Sequence, residues 1–290
     1  MPELHEVETV RRGLAPVFEG GTIARVEARR KDLRFPFPPR FAARLAGRRV
    51  LALRRRAKYL IAELDNGEAL VMHMGMSGSF RVDKDDEPGN PGVPRGKKAA
   101  HDHVVVHFEG GARATYNDPR RFGFMLLFGD GELATHPLFR GLGVEPLGEG
   151  LTVRSLAEAL RGRTAPIKAA LLDQRVVAGL GNIYVCEALH RARVSPFRTA
   201  GSLVAKSGAP SRDLTRLAAA IEAVLREAID AGGSSIGDHR LTDGSLGYFQ
   251  HSFRVYGREG AACSTPSCKG TIARAAQSGR STFYCPLCQK

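Results

Sequence analysis

The 290-residue sequence contains no run of about 18 consecutive apolar residues, so no membrane-spanning helix is expected. Its acidic opening, MPELHEVE, lacks the apolar core of a signal peptide. No repeat of roughly 20 to 50 residues is apparent, which argues against a solenoid or propeller. Cysteine is nearly absent until the end: of five, four lie in the last 28 residues, a distribution unlike that of a secreted disulfide scaffold. The fifth, Cys186, reads as a small buried apolar residue. Acidic residues are in deficit, with 30 Asp+Glu against 43 Lys+Arg and a net charge of +13. That excess implies a polyanionic partner, nucleic acid first, and with it a cytosolic or nucleoid location. Hydrophobic content of 43% and charged content of 25% exclude a disordered chain or a coiled coil.

What is present divides by pattern. Val7, Val10 and Leu14 fall on one stripe of a leading helix. Strands are predicted at Thr22 to Ala28, Tyr59 to Leu64, Leu70 to Met74, His103 to Phe108, Ala112 to Tyr116 and Phe122 to Phe128. Asn66-Gly67 and Gly110-Gly111 are hairpin turns between pairs of them. Frequent strands with tight turns predict an antiparallel β-sandwich. Asp83 to Lys98 combines proline, glycine and charge without periodicity and reads as an exposed insertion. After Gly141 to Gly150 the pattern turns helical: Leu214, Leu217, Ala218, Ile221, Leu225 and Ile229 keep helical spacing, with Asp213 at the start and Gly232-Gly233 as the stop. The expected fold class is α+β and multidomain. Residues 1–147 form an N-terminal β-sandwich, 148–250 a helical domain and 251–290 a C-terminal zinc ribbon.

The ribbon follows from the tail, Cys263-x4-Cys268 and Cys285-x2-Cys288 separated by sixteen residues. Two cysteine pairs on two knuckles supply four thiolates in a tetrahedron, the closed arrangement of a structural zinc. No coordination position remains for a substrate, so the metal folds the tail instead of catalysing.

MPELxEVET at the start, GLGNIYxxEAL in the middle and GRSTFYCPLCQ at the end together resemble the formamidopyrimidine-DNA glycosylase family of bacterial base-excision repair enzymes. The resemblance covers nearly the whole chain, taking in RRAKYL (Arg55 to Leu60), HMGMSGSF (His73 to Phe80) and YNDPRRFG (Tyr116 to Gly123). It continues through IKAALLDQ (Ile167 to Gln174) and GYFQHSFRVYGREG (Gly247 to Gly260). It implies a helix-two-turn-helix in the second domain and a bifunctional glycosylase and abasic-site lyase. Pro2, exposed by methionine removal, would attack C1′ of the damaged nucleotide, form an iminium and lead to β,δ-elimination. A free α-amino group titrates near pH 7.7 to 8, far below an unperturbed lysine near 10.4, so the residue suits the task. Glu3 matches the general acid or base, Lys58 a further catalytic residue and Glu6 a second active-site glutamate. Glu8 reads as part of a solvated helix face.

The same resemblance assigns DNA contacts. Met76, Arg120 and Phe122 fill the gap left by the flipped nucleotide. A thioether fills the stack, a ring wedges the next step, and a guanidinium, donor only, meets acceptors such as cytosine O2 and N3. Taken singly, Met76 and Phe122 read as ordinary core. Lys58, His73, Lys168, Asn182 and Arg280 are the expected phosphate grips, and Glu187 braces the site or sits in a surface salt bridge. The loop Gly232 to Phe249 is the expected lid over the base; with MPEL at the start it favours oxidised purines, 8-oxoguanine and formamidopyrimidines. Departures are His5 in place of the usual proline, where the imidazole either tunes its acidic neighbours or points to solvent, the four residues inside the first knuckle, and the Asp83 to Lys98 insertion. The expected partner is double-stranded DNA with oxidised bases or abasic sites, met by a monomer. The alternatives are a relative acting on oxidised pyrimidines and a zinc-ribbon protein that binds damaged DNA without cutting it.

Overall fold

The structure is a computed structural model that describes residues 2–84, 98–232, 242 and 247–290. The chain forms two compact units, Met1–Arg140 with Ala231–Gln250, and Gly141–Asp230 with His251–Lys290. No helix among the described residues is long and apolar enough to cross a membrane.

The first unit opens with α1 (Leu4–Phe18), followed by β1 (Ile23–Ala28), a short α2 (Phe41–Leu45), β2 (Val50–Arg56), β3 (Tyr59–Leu64) and β4 (Ala69–His73). Then come β5 (Ser79–Lys84), β6 (Asp102–Phe108), β7 (Ala112–Asn117), β8 (Phe124–Phe128) and α3 (Glu132–Thr135). Two four-stranded antiparallel sheets result, in the orders β1-β6-β7-β5 and β2-β3-β4-β8. The stripe Val7, Val10, Leu14 and Phe18 is buried with Ile23, Val104 and Tyr116 of one sheet and Leu53, Leu60 and Met72 of the other. Each such side chain contributes about 1.5–3 kcal/mol on leaving water, which holds α1 and its N-terminus in place.

All six predicted strands are present. β2 and β5 were not expected, because VLALRRR and SFRVDK carry the charges of edge strands, and each lies at the edge of its sheet.

The second unit contains α4 (Val153–Leu160), α5 (Ile167–Leu172), α6 (Asn182–Ala192), α7 (Arg212–Asp230) and the hairpin β9 (Ala273–Gln277) with β10 (Arg280–Tyr284). Thr152 and Ser155 form a reciprocal capping box that starts α4. The predicted apolar residues of α7 are all buried.

Candidate active site and metal centre

Pro2 is buried directly ahead of α1. Glu3, with φ −92° and ψ 174°, is the N-cap, and the capping box is built by two glutamates instead of the usual serine or threonine opposite an acid. The Glu3 backbone N–H donates to Glu6 Oε2 at 2.7 Å. Burial pushes the Glu6 carboxyl up to about 8; the Glu3 amide opposes this, the neighbouring Glu3 carboxylate reinforces it and Lys58 opposes it. At neutral pH Glu6 therefore tends to hold a proton, beside a second carboxyl at position 3.

Lys58 reaches this cluster from the turn between β2 and β3. Ala57 there has φ +52°, and Arg55 Nη1 donates to its carbonyl at 3.1 Å. Arg55 Nε in turn donates to Glu8 Oε2 at 3.1 Å, tying α1 to the turn. Glu8 is therefore not on a solvated face. Although burial alone would raise it, its hydrogen bonds and charge contacts with Arg11 and Arg55 hold its carboxyl below the ordinary value. Lys58 itself is buried. His5 is also buried, with Nε2 3.9 Å from Glu6 Oε1, which removes the solvent-facing alternative.

At the end of β4, His73 Nδ1 accepts the Gly75 N–H at 3.0 Å, so the ring proton sits on Nε2. Burial, then the charges of Lys58 and Arg34, lower its pKa to about 4. His73 is thus a neutral hydrogen-bond donor, stacked on Phe124 with centroids 5.1 Å apart. Just beyond it, Met76 and Phe122 are 46% and 42% exposed, which rejects a core role for either. The Arg120 guanidinium lies over the Phe122 ring, 4.6 Å from its centroid.

In the second unit, Lys168 and Asn182 converge on one strand. Lys168 Nζ donates to the Ser281 carbonyl at 3.1 Å and to Thr282 Oγ1 at 2.8 Å. Asn182 Nδ2 donates to the same carbonyl at 3.0 Å. Lys168 is buried, and that burial lowers its pKa, so it braces β10 next to the exposed Arg280 instead of facing solvent as a phosphate grip would. Glu187 is also buried; its carboxylate accepts the backbone N–H groups of Arg254, Val255 and Tyr256 at 2.9–3.1 Å, which rules out the surface salt bridge.

The sulfurs of Cys263, Cys268, Cys285 and Cys288 all lie within 4.8 Å of one another. Cys263 to Cys288 is 3.8 Å and Cys268 to Cys285 is 3.7 Å. A tetrahedron of Zn–S bonds near 2.3 Å has sulfur–sulfur edges of about 3.8 Å, so the set fits one structural zinc. Thr265 N–H and Gly270 N–H point at Cys263 and Cys268 sulfurs, and a Cβ at Gly270 would meet Cys285 Sγ at 2.6 Å. His190, which sequence reasoning missed, lies with Nε2 3.3 Å from Cys263 Sγ. Its partner is 73 residues away, so no local spacing signals it. Of the loop Gly232 to Phe249, residues 233–241 and 243–246 lie outside the described residues; so do residues 85–97 of the insertion.

Residues 1–125 match the Formamidopyrimidine-DNA glycosylase N-terminal domain, 142–240 the Formamidopyrimidine-DNA glycosylase H2TH domain and 266–290 the zinc finger found in FPG and IleRS. Among similar proteins, the formamidopyrimidine-DNA glycosylase of Methylocella silvestris is 62% identical over 293 residues and that of Rhizobium meliloti 59% over 301. Both alignments cover 100% of either chain. Among solved structures, the Fpg protein of Thermus thermophilus is 39% identical with a TM-score of 0.81, covering 99% of this chain and 98% of its own. Lactococcus lactis Fpg in complex with abasic-site DNA is 34% identical with a TM-score of 0.82, both chains fully covered. With all three domains matched and full-length relatives at such identity, the chain belongs to the formamidopyrimidine-DNA glycosylase family.

Proposed function

We propose that this DNA glycosylase excises oxidised purines, 8-oxoguanine and formamidopyrimidines, from duplex DNA and cleaves the resulting abasic site, with Pro2 as its nucleophile. The observation that carries this reading is the construction of the first turn of α1. Pro2 sits directly ahead of a cap made of Glu3 and Glu6, and the charge of Lys58 is felt by Glu6.

Once methionine is removed, the nitrogen lone pair of Pro2 forms a bond to C1′, and the electron pair of the C1′–N bond leaves with the base, which takes up a proton. The Pro2 nitrogen gives up its own proton. Opening of the C1′–O4′ bond, with a proton delivered to O4′, yields a cationic iminium. Loss of the C2′ proton expels the 3′ phosphate, and a second elimination expels the 5′ phosphate. Glu3, adjacent to the nucleophile, serves as the proton donor and acceptor in these steps. Glu6, protonated by burial, holds the Glu3 backbone without adding a second full negative charge. Lys58 adds positive charge that suits a phosphate beside the reacting sugar.

Met76, Arg120 and Phe122 fill the duplex vacated by the flipped nucleotide. His73 donates to phosphate as a neutral group, and Asn182 and Arg280 hold the backbone, with Lys168 bracing the strand that carries Arg280. The enzyme works as a monomer in the bacterial cytosol or nucleoid.

The purine assignment rests on the relatives' shared name. A mutant of Lactococcus lactis Fpg has been captured with DNA containing Fapy-dG and the wild-type protein with DNA containing an oxidised pyrimidine, so the pyrimidine reading also has a specific observation behind it. Single-turnover excision from duplexes carrying 8-oxoguanine, a formamidopyrimidine or an oxidised pyrimidine separates them. The purine reading expects the first two to be released fastest. Faster release of the pyrimidine overturns it.

A further inference from the structure

Two loops at one end of the sandwich carry the three exposed side chains. Residues 74–78 run from β4 of one sheet to β5 of the other, and residues 118–123 return from β7 to β8. Their flanks are paired, Ser79 with Asn117 and His73 with Phe124, so the two crossings lie side by side.

Asp118 joins them. Its side chain is fully buried, and it receives three neutral donors. Ser77 Oγ donates to Oδ1 at 2.5 Å, while Gly123 N–H at 2.9 Å and Tyr116 O–H at 3.2 Å donate to Oδ2. The backbone of Asp118 is itself fixed, its N–H donating to the His101 carbonyl at 3.0 Å and its carbonyl bonded to His103 Nε2 at 2.9 Å. Ser77 Oγ also accepts the backbone N–H of Arg120 at 3.2 Å. A relay therefore runs from the Arg120 backbone through the Ser77 hydroxyl to Asp118, and from Asp118 to the amide that follows Phe122.

The loops also touch through glycine. A Cβ at Gly75, where φ is +64°, would lie 2.3 Å from the Phe122 carbonyl carbon, and one at Gly123 would lie 1.8 Å from the Tyr116 hydroxyl oxygen. Motifs about 40 residues apart in sequence thus form one rigid piece, with Met76, Arg120 and Phe122 on its outer side. A carboxylate buried without a cation among these bonds is costly unless both of its oxygens accept hydrogen bonds, and the three donors here serve both.

We propose that Ser77 and Asp118 are positioning residues that fix where Arg120 meets the estranged base, and so help to set discrimination between bases opposite the lesion. This rests on the reading that Arg120 faces that base. Arginine only donates, so cytosine, with O2 and N3 as acceptors, is favoured over adenine, whose pairing edge offers an acceptor and a donor. Discrimination of this kind depends on where the guanidinium is held, and the Arg120 backbone is anchored by Ser77.

The test compares Ser77→Ala, Ser77→Thr, Asp118→Asn and Arg120→Ala with the parent protein. Single-turnover excision of 8-oxoguanine is measured opposite cytosine and opposite adenine, alongside cleavage of an abasic site in single-stranded DNA, where no opposing base exists. Arg120→Ala should lower the cytosine-to-adenine ratio. Ser77→Ala should lower it about fivefold, the scale of one neutral hydrogen bond, with single-strand cleavage little changed. Asp118→Asn should act in the same direction, and Ser77→Thr, which keeps the hydroxyl, should hold the parent ratio. Combining Ser77→Ala with Arg120→Ala should lower the ratio no further than Arg120→Ala alone. If Arg120→Ala lowers the ratio and Ser77→Ala does not, the relay proposal is wrong while the reading of Arg120 stands. An unchanged ratio in Arg120→Ala removes the reading and the relay proposal with it. Equal losses in every assay for Ser77→Ala would reduce the relay to fold maintenance and overturn the proposal.

Discussion

The Glu6 carboxyl accepts the backbone N–H of Glu3 at 2.7 Å, so a side chain in the first turn of the first helix fixes the backbone of the N-cap residue beside Pro2. The same carboxyl is buried and titrates near 8, against an ordinary value of 4.5. Between those values the folded chain keeps a proton that the unfolded chain has released, so this group lowers stability as pH rises through the window. Glu6→Gln cannot ionise and retains an acceptor for Glu3. Thermal unfolding should show the variant close to the parent near pH 4.5 and more stable than the parent at about pH 9, above the Glu6 titration. A constant difference across that range would contradict a protonated Glu6.

His73 donates as a neutral ring, since its Nδ1 is occupied by Gly75 and its pKa lies near 4. The phosphate contact proposed for it would release no counterion. His73→Gln should therefore weaken duplex binding without changing the log–log slope against salt, whereas Arg280→Ala should reduce that slope by about 0.9. Binding isotherms at several salt concentrations check both. A reduced slope for His73→Gln would mean that the imidazole is charged in the complex.

The zinc site should fail in a graded way. Cys285→Ser removes one of four sulfurs and should lose both metal and duplex affinity, while the sandwich core, which contains none of the ligands, stays folded. His190→Phe removes a hydrogen bond to the Cys263 sulfur and should lose zinc to a chelator roughly 10- to 100-fold more readily. Retention of a full zinc equivalent by Cys285→Ser would contradict a four-sulfur site.

Much of this was legible in the sequence because it is local. Tyr59–Leu64 emerges as a strand with the limits expected from its apolar content and the Asn66-Gly67 turn, and four cysteines in two close pairs announce a metal. Two of the edge strands, β2 and β5, were not legible: the charges of VLALRRR and SFRVDK mask their strand pattern, and Arg55 finds its partner in Glu8, 47 residues away. Asp118 and Ser77 meet across 41 residues. Lys168 was expected at a phosphate because the resemblance, which takes in IKAALLDQ, implied it. Its burial against Thr282 comes from packing of α5 on the hairpin, which no spacing within IKAALLDQ encodes.

The most direct measurement is borohydride trapping on a duplex containing 8-oxoguanine opposite cytosine, followed by mass mapping of the attachment site. A covalent adduct on the nitrogen of Pro2, in protein lacking Met1, is the predicted result. An adduct on Lys58 or any other amine, or no adduct while the base is still released, would contradict Pro2 as the nucleophile.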